Sequence, residues 1–340
     1  MNEYIKKVIE REDLTVEEAA AAMDAIMSGA ATDSQIGSYL TALRMKGETV
    51  AEITGSAKGM REKCLQFIGE GDLLDIVGTG GDCTNTFNVS TVSAIVVAAV
   101  GISVAKHGNR SVSSKCGSAD VLEALGVKLD ITKEKNERVL KETGICFMFA
   151  PVYHSAMRYV ARPRREMGVR TIFNILGPLT NPAYANLQVM GVYSDELVEP
   201  MAKVLSNLGI KRAMVVHGED GVDEVSICGK TKVSEVRDGE IKTYFIDPLS
   251  LGLNLAKLED IKGGAAEENK EIALAILKGE KGPRRDIILI NSAVALYTAL
   301  ENKTLEECIE LAAQTIDSGK ALAKLQAFIE ATHELSEAAI

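Results

Sequence analysis

The sequence has no C-x-x-C pair, no long apolar run, no surplus of positive charge, no internal repeat and no low-complexity tract. Each absence closes off a class of protein. The six cysteines, Cys64, Cys83, Cys116, Cys146, Cys228 and Cys308, are scattered, several within apolar runs. That pattern disfavours a zinc site or a disulfide scaffold and fits reduced thiols in the cytosol. The longest apolar stretch, residues 94–101, is far too short to cross a bilayer, and residues 1–7 contain no apolar signal core. A soluble, cytoplasmic protein without a membrane partner is expected. The net charge is −10, unsuited to a nucleic-acid partner, so local basic clusters read as sites for small anions. No Walker A loop and no G-x-G-x-x-G fingerprint is present. No serine or cysteine is placed in sequence as a partner for His107 or His154, so no residue is expected to act as a covalent nucleophile. Chemistry is expected to come from positioning and leaving-group stabilisation.

What the chain does contain is 340 residues with 46% hydrophobic and 25% charged side chains, enough for a substantial core. The first 66 residues carry helical signals only, with capping boxes at Thr15–Glu18 and Thr49–Glu52. From Leu73 the pattern becomes strand, loop, helix. Strands are predicted at 73–77, 102–106, 145–149, 187–192, 212–217, 230–235 and 241–245. Helices are predicted at 92–100, 118–125 and 153–167, the last interrupted by Pro163, and through most of 267–333. The expected fold is α/β: a small N-terminal helical domain and a larger domain with a mostly parallel sheet flanked by helices. In such sheets ligands bind at the carboxyl ends of the strands.

Two loops at those ends are built for anions. Gly78-Thr79-Gly80-Gly81-Asp82 has three glycines in its first four positions, so its backbone can approach a ligand closely. Thr86, Asn88, Ser90 and Thr91 then place small polar groups at the start of the next helix, where the dipole favours anions or where Asn88 or Ser90 simply caps. The second loop, Lys106-His107-Gly108-Asn109-Arg110, continues through Ser111, Ser113, Ser114 and Lys115 with no acid before Asp120. Two such loops on neighbouring strands suggest a ligand with more than one phosphate. Asp223 and Glu224, adjacent in a glycine-containing loop beyond the strand ending at His217, suit Mg²⁺ in the presence of phosphate. Among Arg158, Arg162, Arg164, Arg165 and Arg170, one or two pointing inward would grip a carboxylate. Gly177-Pro178 opens a rigid turn suited to wall an aromatic slot.

Taken in order and at their spacing, these motifs, with Gly117-Ser118-Ala119-Asp120 and Arg170-Thr171-Ile172-Phe173-Asn174, closely resemble those of the anthranilate phosphoribosyltransferases over nearly the whole chain. The resemblance implies transfer of the phosphoribosyl group of 5-phosphoribosyl 1-diphosphate (PRPP) to anthranilate, in tryptophan biosynthesis. It implies a helical domain at 1–68, with a returning helical segment near 160–185, through which two subunits pair. The α/β phosphoribosyl-binding domain would be 69–340. It also implies PRPP contacts from Gly78, Gly81, Asp82, Thr86, Asn88, Val89, Ser90, Thr91, Lys106, His107, Gly108, Asn109, Arg110, Ser111, Val112, Ser113, Ser114 and Ser118. Anthranilate contacts are implied for Gly78, His107, Asn109, His154, Arg164, Gly177 and Pro178, and magnesium ligands for Ser90, Asp223 and Glu224, with two ions per subunit. The implied chemistry is displacement at the anomeric carbon through an oxocarbenium-like transition state. One departure is Ser155, where the family usually has proline, which suggests a looser tip beside His154.

Pyrimidine nucleoside phosphorylases share the expected architecture, but their phosphate loop reads Ser-Thr-Gly-Gly after the Lys-His pair. A catalytically inactive relative that binds nucleic acid would be expected to show a basic cleft, against the charge found here.

Overall fold

The computed structural model describes residues 1–111 and 115–337. Four helices come first: α1 (Asn2–Ile9), α2 (Val16–Met27), α3 (Asp33–Lys46) and α4 (Val50–Glu62). The capping boxes expected at Thr15–Glu18 and Thr49–Glu52 both form, and a third joins Thr32 to Gln35. Then follow β1 (Leu74–Gly78), α5 (Val89–Val100), β2 (Val104–Gly108), α6 (Ser118–Leu125), α7 (Lys133–Thr143) and β3 (Ile145–Phe149). An arm of α8 (Ala150–Tyr153), α9 (Arg158–Met167) and α10 (Phe173–Leu176) leads to β4 (Leu187–Gly191), α11 (Val198–Asn207) and β5 (Arg212–Gly218). The chain closes with β6 (Thr231–Arg237), β7 (Glu240–Ile246), α12 (Ala266–Leu277), α13 (Pro283–Ala299), α14 (Leu305–Asp317) and α15 (Lys320–Glu337).

The sheet order is β3-β2-β1-β4-β5-β6-β7, parallel through β5 and antiparallel for the last two strands. Alternation along the central strands sets two cores. Leu187, Val189, Met214 and Val216 face α5 and the C-terminal helices, while Met190, Val192, Ala213 and Val215 face α11 and the N-terminal bundle. Both faces are covered, which is why these strands read as apolar runs. Val160, Ile172 and Phe173 of the arm share the bundle's core.

Pro163 does not interrupt its helix, as the sequence suggested. It is buried within a continuous α9, which forgoes the one bond its missing N–H cannot make; the break falls earlier, at His154. Neither Asn88 nor Ser90 caps α5 through its side chain, although Asn88 occupies the N-cap position.

At the carboxyl edge, Gly78 of β1 pairs with Gly191 of β4. A Cβ at Gly191 would lie 1.6 Å from the Asp223 carbonyl oxygen, and one at Gly78 would lie 2.4 Å from Asp223 Oδ2. The two glycines form a slot that the 223–224 loop fills. Gly191→Ala is therefore expected to force that loop outward at a cost of about 1–3 kcal/mol. A urea denaturation midpoint equal to that of the unmodified protein would show that the slot tolerates a side chain.

Candidate active site

Both anion loops lie side by side, at the ends of β1 and β2, and Asp223 and Glu224 reach them from beyond β5. Gly80 N donates to Asp223 Oδ2 at 2.7 Å, and Ser90 N donates to Glu224 Oε1 at 3.1 Å. One carboxylate thus holds the first glycine loop and the other holds the N-terminal turn of α5. Asp223 is buried and Glu224 half-buried, and the pKa values of both are pushed up. For Asp223 the causes are burial and then the charge of Asp82; for Glu224, burial and then Asp223.

Lys106 answers this negative charge from below. It lies in β2, as the strand expected at 102–106 implied; the strand runs two residues further and takes His107 and Gly108 out of the loop as well. Its Nζ donates to the Ile76 carbonyl and to Ser90 Oγ, the latter at 3.3 Å. Burial draws its pKa down, while Asp75, Glu224 and Asp223 support the charge. Asp75 is fully buried behind it and accepts from His107 N at 3.2 Å. Burial lifts the Asp75 carboxyl to about 6 against the pull of Lys106.

The other expected PRPP residues gather around this centre with unequal freedom. Asp82 accepts from both the hydroxyl and the N–H of Thr84. Thr86 bridges to Lys262. Asn88 Nδ2 donates to the Cys116 carbonyl at 3.1 Å, and its Oδ1 accepts from Asn269 Nδ2 at 2.9 Å, so its amide is held by two remote segments. Val89 contributes its side chain to the core, and the Thr91 hydroxyl is buried without a partner among the described residues. Gly108 ends β2 against Ser118 Oγ, which donates to the Asn109 carbonyl. Arg110, expected as a cation of the second loop, is turned to Asp120 and Glu123 and lies 5.4 Å over the Phe149 ring. Asp120 also accepts from Ser111 N and Gly117 N, drawing the two ends of that loop together. Val112, Ser113 and Ser114 lie outside the described residues.

The turn expected to wall an aromatic slot is held in an unforeseen way. Three successive carbonyls accept from buried side chains of three different elements. Gln188 Nε2 of β4 donates to Pro178 O at 2.6 Å, Arg61 Nε of α4 to Leu179 O at 2.7 Å, and His154 Nε2 to Thr180 O at 2.9 Å. Gly177 remains exposed beside them. Ser155 starts a short 3₁₀ turn and does not loosen His154, which is buried. The rings of His154 and His107 stand 5.0 Å apart, and His107 Nε2 is buried without a partner among the described residues. Arg61, Gln188, Asn269 and Asp75 escaped sequence reading, because nothing local marks a polar residue whose partner lies far along the chain.

Arg164 is half-buried, with its guanidinium 5.3 Å over the Phe173 ring. Burial alone lowers its pKa, and among the described residues no carboxylate pairs with it. A cation so placed is a ready partner for a ligand's carboxylate.

No three His, Cys, Asp or Glu side chains of the described residues come together to hold a metal on their own. Two repelling carboxylates beside a hydroxyl instead form the partial donor set suited to Mg²⁺, which keeps waters and takes oxygens from substrate phosphates. The residues present fit that ion.

The chain matches the glycosyl transferase family a/b domain over residues 70–322 and that family's helical bundle domain over residues 2–64. It is 54% identical over 337 residues to the anthranilate phosphoribosyltransferase of Ruminiclostridium cellulolyticum, covering 99% of each chain. It is 53% identical over 333 residues to that of Methanobrevibacter smithii, covering 98% of this chain and 99% of the relative. Among solved structures, anthranilate phosphoribosyltransferase from Thermus thermophilus superposes with a TM-score of 0.92 at 44% identity, over 97% of this chain and 99% of that one. The Saccharomyces cerevisiae enzyme in complex with PRPP and Mg superposes with a TM-score of 0.90 at 31% identity, over 98% and 97%.

Burial, and then the neighbouring His154, holds the His107 pKa down at about 3, and burial holds His154 at about 4. Unfolded histidine titrates near 6.5, so below that pH the unfolded chain takes up protons that the folded rings refuse. Stability present above pH 6.5 is therefore lost as the pH falls towards 4. His154→Gln keeps a donor for Thr180 and removes one titration. Between about pH 7.5 and about pH 5 it is expected to lose about 2 kcal/mol less than the unmodified protein. Equal losses in urea denaturation at the two pH values would show that the ring is protonated in the fold.

Proposed function

The chain belongs to the anthranilate phosphoribosyltransferase family, and from that premise we propose how its residues carry out the family's reaction. The enzyme transfers the phosphoribosyl group of PRPP to the amino group of anthranilate, giving N-(5-phosphoribosyl)anthranilate and pyrophosphate, in tryptophan biosynthesis. It uses Mg²⁺.

Gly78, Gly81, Asp82, Thr86, Asn88, Ser90 and the 106–118 segment bind PRPP in this reading. Asp223 and Glu224, with Ser90, hold two magnesium ions per subunit. When bound, magnesium supplies positive charge to the diphosphate as it departs. Lys106 keeps the acidic pair and Ser90 in place from beneath the sheet edge. Arg164 and Asn109 hold anthranilate, with the Gly177-Pro178 turn and the two neutral histidines forming its wall. Neutral rings leave Arg164 as the charge that selects an aromatic acid. The acceptor nitrogen is an aniline, nucleophilic near neutral pH, so no strong base is needed. The observation that carries this reading is the pair of carboxylates bonded to the backbone of the first glycine loop and of the α5 N-terminus.

We further infer a cytoplasmic homodimer, paired through a helical domain of residues 1–68 and the returning segment near 160–185. Support comes from Ile9 and Met45, 64% and 74% exposed on the bundle, and from the arm residues that share its core.

Anthranilate fluorescence is expected to decay on adding protein, PRPP and Mg²⁺, and to persist without PRPP or with EDTA. Persistence in the complete mixture, with the protein folded, would reject the assignment. In the same assay Arg164→Ala is expected to raise the anthranilate KM by roughly 10- to 100-fold while moving the PRPP KM little. An unchanged anthranilate KM would remove Arg164 from the acceptor site.

A further inference from the structure

We propose that Arg170 is a positioning residue for PRPP, reaching from the arm that carries Arg164 to fix the first glycine loop by the Gly81 carbonyl. This rests on the functional reading above, in which that loop binds PRPP.

Arg170 lies just beyond Gly168, which ends α9 at a φ of +62°, and just before Phe173, the ring beneath Arg164. It therefore sits between the acceptor clamp and its platform, on an arm whose Ile172 and Phe173 pack in the bundle core. Its neighbours in the arginine cluster have other occupations: Arg162 bonds Glu166 at 2.8 Å, and Arg158 bonds the Tyr159 hydroxyl. Arg170 has no carboxylate partner among the described residues. Its Nη2 donates to Gly81 O, and its guanidinium lies 4.2 Å over the Tyr193 ring.

That ring belongs to the same circuit. Tyr193 N donates to Thr79 Oγ1 at 3.1 Å, and Thr79 N donates to Gly191 O at 2.9 Å. The aromatic platform under Arg170 is thus tied to the loop that Arg170 grips. Among the described residues, this grip is the polar tie between the loop and the arm; the bond from Gly80 N goes to Asp223 and the Thr79 bonds go to the end of β4 and the segment following it.

The consequence follows from the geometry of a trans peptide. Gly80 and Gly81 have φ of +65° and +74°, so the loop turns its peptide groups in a way only glycine adopts readily. In the peptide joining Gly81 to Asp82, carbonyl and N–H point in opposite directions. Holding the Gly81 oxygen towards Arg170 aims the Asp82 N–H to the other side. That N–H has no protein acceptor among the described residues. Arg170 in this way keeps an anion-binding donor oriented before PRPP arrives, and does so from the element that also carries the acceptor's cation.

The test uses Arg170→Met, which keeps the stem and removes the fork, with Arg170→Lys and Tyr193→Leu beside it. Arg170→Met is expected to raise the PRPP KM about tenfold. Its melting temperature should stay within about 2 °C of the unmodified protein, because the side chain is exposed. Arg170→Lys should recover part of the loss, and Tyr193→Leu should shift the same constant by a smaller factor. A PRPP KM unchanged in Arg170→Met would overturn the proposal. So would a fall in kcat and melting temperature with KM unmoved, which would mark a merely structural residue. Failure of the unmodified enzyme to consume anthranilate would instead count against the functional reading. Calorimetric titration of the unmodified protein and Arg170→Met with PRPP and Mg²⁺ then reads the same tenfold difference without turnover, and equal affinities would again overturn the proposal.

Discussion

The structure turns on two adjacent carboxylates drawn largely out of water at one edge of a sheet. Removing Asp223 and Glu224 from water is costly, and placing them side by side adds repulsion. The fold offsets that cost with backbone donors from Gly80 and Ser90 and with the ammonium of Lys106 below. Each of these has a further requirement. The glycines at 78 and 191 must lack side chains for the acidic loop to lie down at all. Lys106 must itself be buried, which brings Asp75 into the interior behind it. A chain of alternating charges, Asp75, Lys106 and the acidic pair, runs from the sheet's interior to its mouth. The arrangement is incomplete without more positive charge, and that deficit is what a cation-bound polyphosphate would fill.

The turn proposed to wall the acceptor is organised by hydrogen bonds, not by charge. A turn rich in proline and glycine exposes carbonyls that it cannot satisfy itself. Gln188, Arg61 and His154 each cap one of three in succession. Arg61 belongs to the helical bundle and Gln188 to the central sheet, so the turn is located relative to both. Leaving any of these carbonyls buried and unpaired would cost about 1–3 kcal/mol, which is why rare buried polar side chains are placed here.

Much of this was legible in the sequence, and what was not has a common cause. Capping boxes, strand periodicity and glycine loops are local signals, and the starts of the helices after Thr15 and Thr49, the parallel core and the meeting of both loops with Asp223-Glu224 followed from them. The strand expected at 102–106 includes Lys106, but its pairing with β3 continues through Gly108 and takes His107 and Gly108 out of the loop. Pro163 suggests a break because a proline removes one helical bond; packing of α9 against the bundle outweighs it. Arg61, Asn269 and Gln188 were invisible for a stronger reason. Their partners lie at Leu179, Asn88 and Pro178, on separate elements, and no spacing rule encodes such meetings.

The separation of charge within the site also bears on specificity. The edge built from Asp82, Asp223 and Glu224 repels a free aromatic acid and accepts a polyanion only when cations accompany it. In the proposed acceptor site the reverse holds: Arg164 offers an unpaired guanidinium over Phe173, and the two histidines assigned to the same site are kept uncharged by burial. A charged histidine there would add a second cation and make the slot attractive to phosphate. Neutral rings and a lone arginine suit a single carboxylate on a flat ring. Discrimination between the two substrates therefore comes as much from the charge each pocket withholds as from the charge it presents.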